Sequence, residues 1–293
     1  MRIAGWSMPR SIKDRGKRSR HCEVPSMPTV EAEDGQIWGY GRFGRRHGQP
    51  ILLHHGLIAD AKLAPIWDRL GEENGFEWIV IERPGYGKTP PVMMTRVADW
   101  PTLIAPLLDV LGISGRFSAV GLSAGAPYAY ALAAAMPERV ARVCVLSGVP
   151  FLGADGVLAA YPGRSQAAYA CYAVADETAL RAEFRVFCES IAAEIGEDHD
   201  IASALAAIFA HDTAGPAREA RLQATDWGFD RGAIRCPVDI WHSQADDMVP
   251  FAAARLSADG LLNAGWHIQA APSHFPSEAT LKEMTRTLAR ADN

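Results

Sequence analysis

Val120-Gly121-Leu122-Ser123-Ala124-Gly125 is the stretch on which the fold turns. It follows a mostly apolar run at 117–120 that reads as a buried strand, and it precedes a helical pattern over 125–136. A serine between two glycines is on its own an ordinary Gly-rich turn. Between a strand and a helix it acquires a physical reason. Small neighbours permit a sharp, strained turn that lifts the hydroxyl clear of the sheet, and the helix N-terminus favours negative charge developing there. Ser123 is therefore the candidate nucleophile.

On both sides of this turn, short apolar runs alternate with helical patterns. Strands are expected over 51–54, 78–81, 117–120, 143–146, 238–241 and 266–270. Helices are expected near 62–73, 97–111, 125–136, 251–260 and 276–290. Such alternation is the mark of βαβ units, hence an α/β fold with a mostly parallel central sheet buried between flanking helices. Before it, 29–48 alternates polar and apolar residues around Asp34-Gly35, a hairpin signal. The alternation stops between 151 and 229. There Leu180, Phe184, Phe187, Ile191 and Ile195 recur at spacings of three and four, a helix that Gly196 would end, and a second helix is expected over 201–209. The expected organisation is a core of 29–150 and 230–293, a helical insertion at 151–229, and a basic N-terminal extension at 1–28.

A serine hydroxyl is a weak nucleophile at neutral pH. It needs a base within hydrogen-bond reach, and the base needs a carboxylate to fix its tautomer. Downstream, Trp241-His242-Ser243-Gln244-Ala245-Asp246-Asp247-Met248-Val249-Pro250 offers an acid just after a strand, and Pro272-Ser273-His274-Phe275 offers a histidine after the next one. Both positions lie where loops leave the C-terminal edge of a parallel sheet, the edge on which ligands bind in such folds. The order serine, acid, histidine follows. His242 stands as the reserve base and Asp247 as the reserve acid.

With these residues in place the chain resembles the α/β-hydrolase family over roughly residues 29 to 290, the 151–229 insertion standing where that family carries a cap. The resemblance rests on the elbow at Ser123, His55-Gly56 after a strand, Arg83-Pro84-Gly85-Tyr86-Gly87 after the next, Asp246 three residues before Val249-Pro250, and His274. It implies a Ser123-Asp246-His274 triad, prefers Asp246 to Asp247, and implies an oxyanion hole made by the backbone N–H groups of Leu57 and Ala124. Two residues depart from the family pattern: Ser243 stands where glycine is usual before the acid, and Glu82 where aspartate often precedes the Arg-containing loop.

Other chemistries find less support. His54-His55 has no further ligand at helical or hairpin spacing, so no metal site is expected. Gly85-Tyr86-Gly87-Lys88-Thr89 lacks the spacing of a phosphate-binding loop. The five cysteines are scattered, without a paired motif, and read as reduced thiols. Of 293 residues, 48% are hydrophobic and 22% charged, and the net charge of −5 gives no overall attraction to nucleic acid or anionic lipid. No apolar stretch approaches the roughly 18 residues of a membrane span. The basic start has no apolar segment, so it does not read as a secretory signal, and a cytoplasmic location is expected.

The expected activity is hydrolysis of a small to medium carboxylic ester or lactone through an acyl-enzyme on Ser123, with a small-molecule substrate and no cofactor. C–C bond hydrolysis, acyl transfer on the same triad, and a slow ligand-binding receptor of the same fold remain open. Serine rather than aspartate at the elbow argues against epoxide hydrolase and haloalkane dehalogenase chemistry, whose intermediate is an ester on a carboxylate.

Overall fold

The short apolar runs pair into one eight-stranded sheet in the computed structural model, which describes residues 27–194 and 199–290. The strands are β1 (Thr29–Glu31), β2 (Ile37–Gly44), β3 (Gln49–His54), β4 (Phe76–Ile81), β5 (Phe117–Leu122), β6 (Val140–Leu146), β7 (Val238–His242) and β8 (Ala264–Ile268). Their spatial order is β1-β2-β4-β3-β5-β6-β7-β8. The first two strands join antiparallel and every pairing from β4 to β8 is parallel. The expected hairpin is the β1–β2 pair. The last strand starts and ends two residues earlier than its sequence pattern suggests.

Parallel strands buried on both faces explain the nearly continuous apolar runs. Alternate residues of the same strand enter different cores. Leu52, Ile79, Ala119 and Val145 pack with helices α2 (Trp100–Val110) and α3 (Ala126–Ala135). Ile51, Leu53, Val80, Val120 and Leu146 pack with α1 (Pro65–Asn74) and the C-terminal helix, Glu278–Ala289. The sheet thus lies between two helical layers, and the loops leaving its C-terminal edge are held on a rigid platform.

Between β6 and β7 the described residues form helices and no strand: α4 (Gly163–Val174), α5 (Glu177–Glu194), α6 (His199–Phe209) and α7 (Ala214–Ala224). The expected pair corresponds to α5 and α6; Ile195 and Gly196 lie outside the described residues. Helices α4 and α7 add to that pair. Along α7, Ala214, Gly215, Pro216, Ala217, Glu219, Ala220, Leu222 and Gln223 are all buried, so no polar stripe marks its periodicity. Its Gly215-Pro216 looks like a breaker, yet it sits in the first turn, where a missing N–H costs nothing. Two more helices complete the described chain, α8 (Phe251–Ala258) and α9 (Glu278–Ala289).

The basic segment expected at 1–28 lies outside the described residues except for its last two positions. Among the described residues no helix is long and apolar enough to cross a membrane.

Candidate active site

Strand β5 ends in the sharp turn its sequence requires. Ser123 has a φ of 49°, a left-handed conformation that costs a non-glycine residue about 1–3 kcal/mol. The glycines around it are steric necessities. A Cβ on Gly121 would lie 2.6 Å from the Ala126 Cα, and one on Gly125 would lie 2.1 Å from the carbonyl oxygen of His54. Only hydrogen fits at either place. The turn runs straight into α3, so the Ser123 side chain stands at a helix N-terminus.

Asp246 follows β7 and is buried, while Asp247 is exposed. The Asp246 carboxylate accepts hydrogen bonds at Oδ1 from the backbone N–H groups of Met248 (2.9 Å) and Val249 (2.8 Å). Its Oδ2 lies 2.8 Å from Nδ1 of His274, which is carried by the loop after β8. Burial pushes the Asp246 carboxyl up. The hydrogen bond and charge of His274, the Val249 N–H and the nearby His242 outweigh it and hold the group below the usual carboxylate range. An ionised Asp246 fixes His274 with its proton on Nδ1, leaving Nε2 bare.

His242, the reserve base, is fully buried. Its Nε2 lies 2.9 Å from the Val249 carbonyl oxygen and 3.3 Å from Asp246 Oδ2. It thus supports the acid loop from below and does not line the cavity. Burial holds its pKa below the usual imidazole value, against the Val249 carbonyl and the Asp246 charge, which raise it.

Strand β3 neighbours β5, which brings the loop His55-Gly56-Leu57 alongside the serine. A Cβ on Gly56 would lie 4.0 Å from the Cβ of Ser123. The loop is tied down from its far side, the Tyr86 hydroxyl donating to the Leu57 carbonyl oxygen at 3.1 Å. Gly56, Leu57, Ser123, Ala124 and His274 all line one cavity of about 370 Å³. The structure therefore brings Leu57, Ser123, Ala124 and His274 to one cavity, with Asp246 directly behind His274.

The cavity is roofed by the helical insertion. Of the aromatic residues of the insertion, Tyr161, Tyr169, Tyr172, Phe184 and Phe187 line it. Their rings follow one another edge to face or tilted, with centroids 5.3–6.3 Å apart. Phe209 and Trp227 pack elsewhere, in the Tyr86 cluster and the main core. A mostly apolar wall of this kind suits an uncharged organic group.

The remaining singled-out residues have structural surroundings. His54 stands edge-on to Trp100 at 5.8 Å, and burial followed by the charge of Arg83 lowers its pKa to about 3. Glu82 accepts the Lys88 N–H at 2.6 Å. Its longer side chain is accommodated by glycines: a Cβ on Gly39 or Gly87 would lie 1.9 or 2.0 Å from its carboxylate oxygens. Ser243 accepts the Ala245 N–H at 3.2 Å and so stabilises its own loop.

Sequence reasoning missed one connection. Fully buried Arg83 lies beneath the His55–Gly56 loop and pairs at 3.0 Å with fully buried Glu219 of α7. The Arg83 loop belongs to the family resemblance, which assigns Arg83 itself no role. Glu219 carried one signal, a single acid among the small residues of 214–220, which when buried must find a cation, though the adjacent Arg218 and nearby Arg221 offer sequence-local partners that mask Arg83.

A model of the alpha/beta hydrolase family matches residues 51–286. A non-heme chloroperoxidase from Streptomyces lividans is 29% identical over 264 residues, covering 81% of this chain and 89% of that protein. Among solved structures, the esterase RhEst1 from Rhodococcus sp. ECU1013 aligns over 90% of this chain and 98% of its own, with a TM-score of 0.65 at 20% identity. An esterase from Exiguobacterium antarcticum aligns over 90% and 99%, with a TM-score of 0.68 at 17% identity.

Proposed function

Because the chain belongs to the α/β-hydrolase family, we propose that it is a serine hydrolase cleaving uncharged carboxylic esters or lactones of small to medium size. The observation that carries this reading is the line from Asp246 Oδ2 to His274 Nδ1 at 2.8 Å, with His274 and Ser123 opening on the same cavity.

The proposed reaction has two halves. The Ser123 hydroxyl attacks the substrate carbonyl carbon while His274 Nε2 takes its proton. The carbonyl oxygen becomes an oxyanion, received by the N–H groups of Leu57 and Ala124, each worth about 3 kcal/mol in sites of this kind. When the C–O bond to the leaving group breaks, His274 returns the proton to the departing alkoxide. Water then attacks the acyl-enzyme with His274 again as base, and the acid departs as Ser123 regains its proton. Asp246 stays ionised throughout, orienting His274 and stabilising its cationic form.

The helical insertion acts in this reading as a cap that confines the acyl or alcohol group against its aromatic wall. Initial rates on p-nitrophenyl esters of graded chain length, simple lactones and a C–C hydrolase substrate test the proposal. Turnover of an ester or lactone that disappears in Ser123→Ala and His274→Ala supports it; wild-type inactivity on every ester and lactone sinks it. The relative named for chloroperoxidase activity motivates one added arm, in which hydrogen peroxide competes with water for the acyl group.

A further inference from the structure

Every nitrogen of the Arg83 guanidinium has a partner. Nη1 donates to the His55 carbonyl oxygen at 2.6 Å, Nη2 to the Gly56 carbonyl oxygen at 3.2 Å, and Nε to Glu219 Oε1 at 3.0 Å. The group lies against the Tyr128 ring, 4.7 Å from its centroid. His55 adds to the same bond set: its Nδ1 lies 2.8 Å from the Gly56 carbonyl oxygen, and its Nε2 accepts the Arg83 backbone N–H at 3.3 Å. Burial, then the charge of Arg83, hold His55 neutral, with its single ring proton on Nδ1.

The Gly56 carbonyl therefore receives two donors, one of them cationic. That carbonyl belongs to the same peptide unit as the Leu57 N–H. The unit is planar and trans, so its N–H points opposite to its C=O. Pinning the oxygen on the Arg83 side directs the N–H to the other side, where Gly56 and Leu57 meet the cavity beside Ser123. Donors on the oxygen also polarise the peptide and make its N–H a stronger donor.

Arg83 itself is held by the insertion. Glu219, 136 residues further along the chain, belongs to α7, and it also accepts from Arg218 at 3.0 Å. The backbones meet as well. The Gly87 N–H donates to the Ala207 carbonyl oxygen at 2.9 Å, and a Cβ on Gly85 would come within 2.6 Å of the Gly215 nitrogen. The insertion is thus seated on the same loop that carries Arg83.

We propose that Glu219 and Arg83 are positioning residues that set the Gly56–Leu57 peptide, so that the docked insertion completes the oxyanion hole. This rests on the serine-hydrolase reading above. The coupling acts on the transition state and not on substrate binding, because the oxyanion exists only after attack.

The test uses Glu219→Gln, which keeps shape and a carbonyl acceptor but removes the charge, and Arg83→Lys, which keeps the charge but cannot span the two carbonyls and Glu219 together. Each is compared with wild type in kcat and KM for p-nitrophenyl butanoate. Each is also compared in affinity for a trifluoromethyl ketone, whose serine adduct carries an oxyanion, and for the matching non-electrophilic ether. The expected result is a fall in kcat of roughly tenfold, a part of the 10²–10³ lost with a whole donor. The affinity for the trifluoromethyl ketone should fall by a similar factor, while KM and ether binding stay within about twofold. A purely structural role would weaken the ether and the ketone alike, and that result would overturn the proposal. So would trifluoromethyl ketone affinity and kcat unchanged in both folded variants. If wild type neither turns over the ester nor forms the ketone adduct, the serine-hydrolase reading itself fails, and this inference with it.

Discussion

Replacing Asp246 by asparagine exchanges one oxygen for an NH2 group, and the surrounding donors decide which way the amide must face. The Oδ1 site receives two backbone N–H groups, from Met248 at 2.9 Å and Val249 at 2.8 Å. An NH2 group placed there would meet two donors, so the amide oxygen takes that site. The nitrogen then occupies the Oδ2 position, 2.8 Å from His274 Nδ1, and donates to it. His274 Nδ1 becomes an acceptor, its proton moves to Nε2, and the atom that should receive the serine proton is blocked. Serine proteases with the same fault lose on the order of 10⁴ in kcat, which corresponds to about 5.5 kcal/mol of transition-state stabilisation. KM should change little, since Asp246 lies behind His274 and does not line the cavity. The assay is steady-state hydrolysis of p-nitrophenyl butanoate at pH 7.5, with Asp247→Asn, an exposed neighbour, as a control expected within about twofold of wild type. A folded Asp246→Asn enzyme retaining more than about a tenth of wild-type kcat would show that Asp246 does not set the His274 tautomer.

Three further outcomes follow from the same geometry. Gly125→Ala places a Cβ 2.1 Å from the His54 carbonyl oxygen, a backbone atom unable to yield cheaply; a stability loss of about 3 kcal/mol and loss of esterase turnover are expected by urea titration and rate assay. Glu219→Ala leaves fully buried Arg83 without its carboxylate and should cost about 3–5 kcal/mol, whereas the paired change Arg83→Met with Glu219→Leu should cost less than the sum of the single changes in the same titration. His54, with its pKa lowered from 6.5 to about 3, binds its proton only when unfolded over that interval. Its contribution to stability is thus complete above about pH 6.5 and lost as pH falls towards 3, at up to about 1.4 kcal/mol per pH unit. Urea midpoints that stay flat from pH 7 to pH 5 would contradict this, and His54→Gln should make the slope shallower.

The central layers were legible because their physics is local. A run such as 78–81 is buried on both faces and so is apolar throughout, and the glycines around Ser123 are required whatever the rest of the chain does. The candidate site was legible for a related reason. Asp246 and His274 each follow a strand, and parallel strands place such loops at one edge. The insertion was only half legible. Helix α5 shows its stripe because its other side is wet, whereas α7, buried nearly all round, shows none. The Arg83–Glu219 pair was hidden for a different cause: it joins residues 136 apart, and nothing in local spacing reports which cation a buried acid will meet.

Whether Ser123 carries the acyl group is read by rapid-quench intact-mass analysis with peptide mapping. With p-nitrophenyl butanoate mixed in excess and quenched in acid during the burst, one butanoyl group per chain is expected, on the peptide containing Ser123, and none in Ser123→Ala. Steady ester turnover in Ser123→Ala, or a butanoyl group on a different residue of the active wild type, would contradict it.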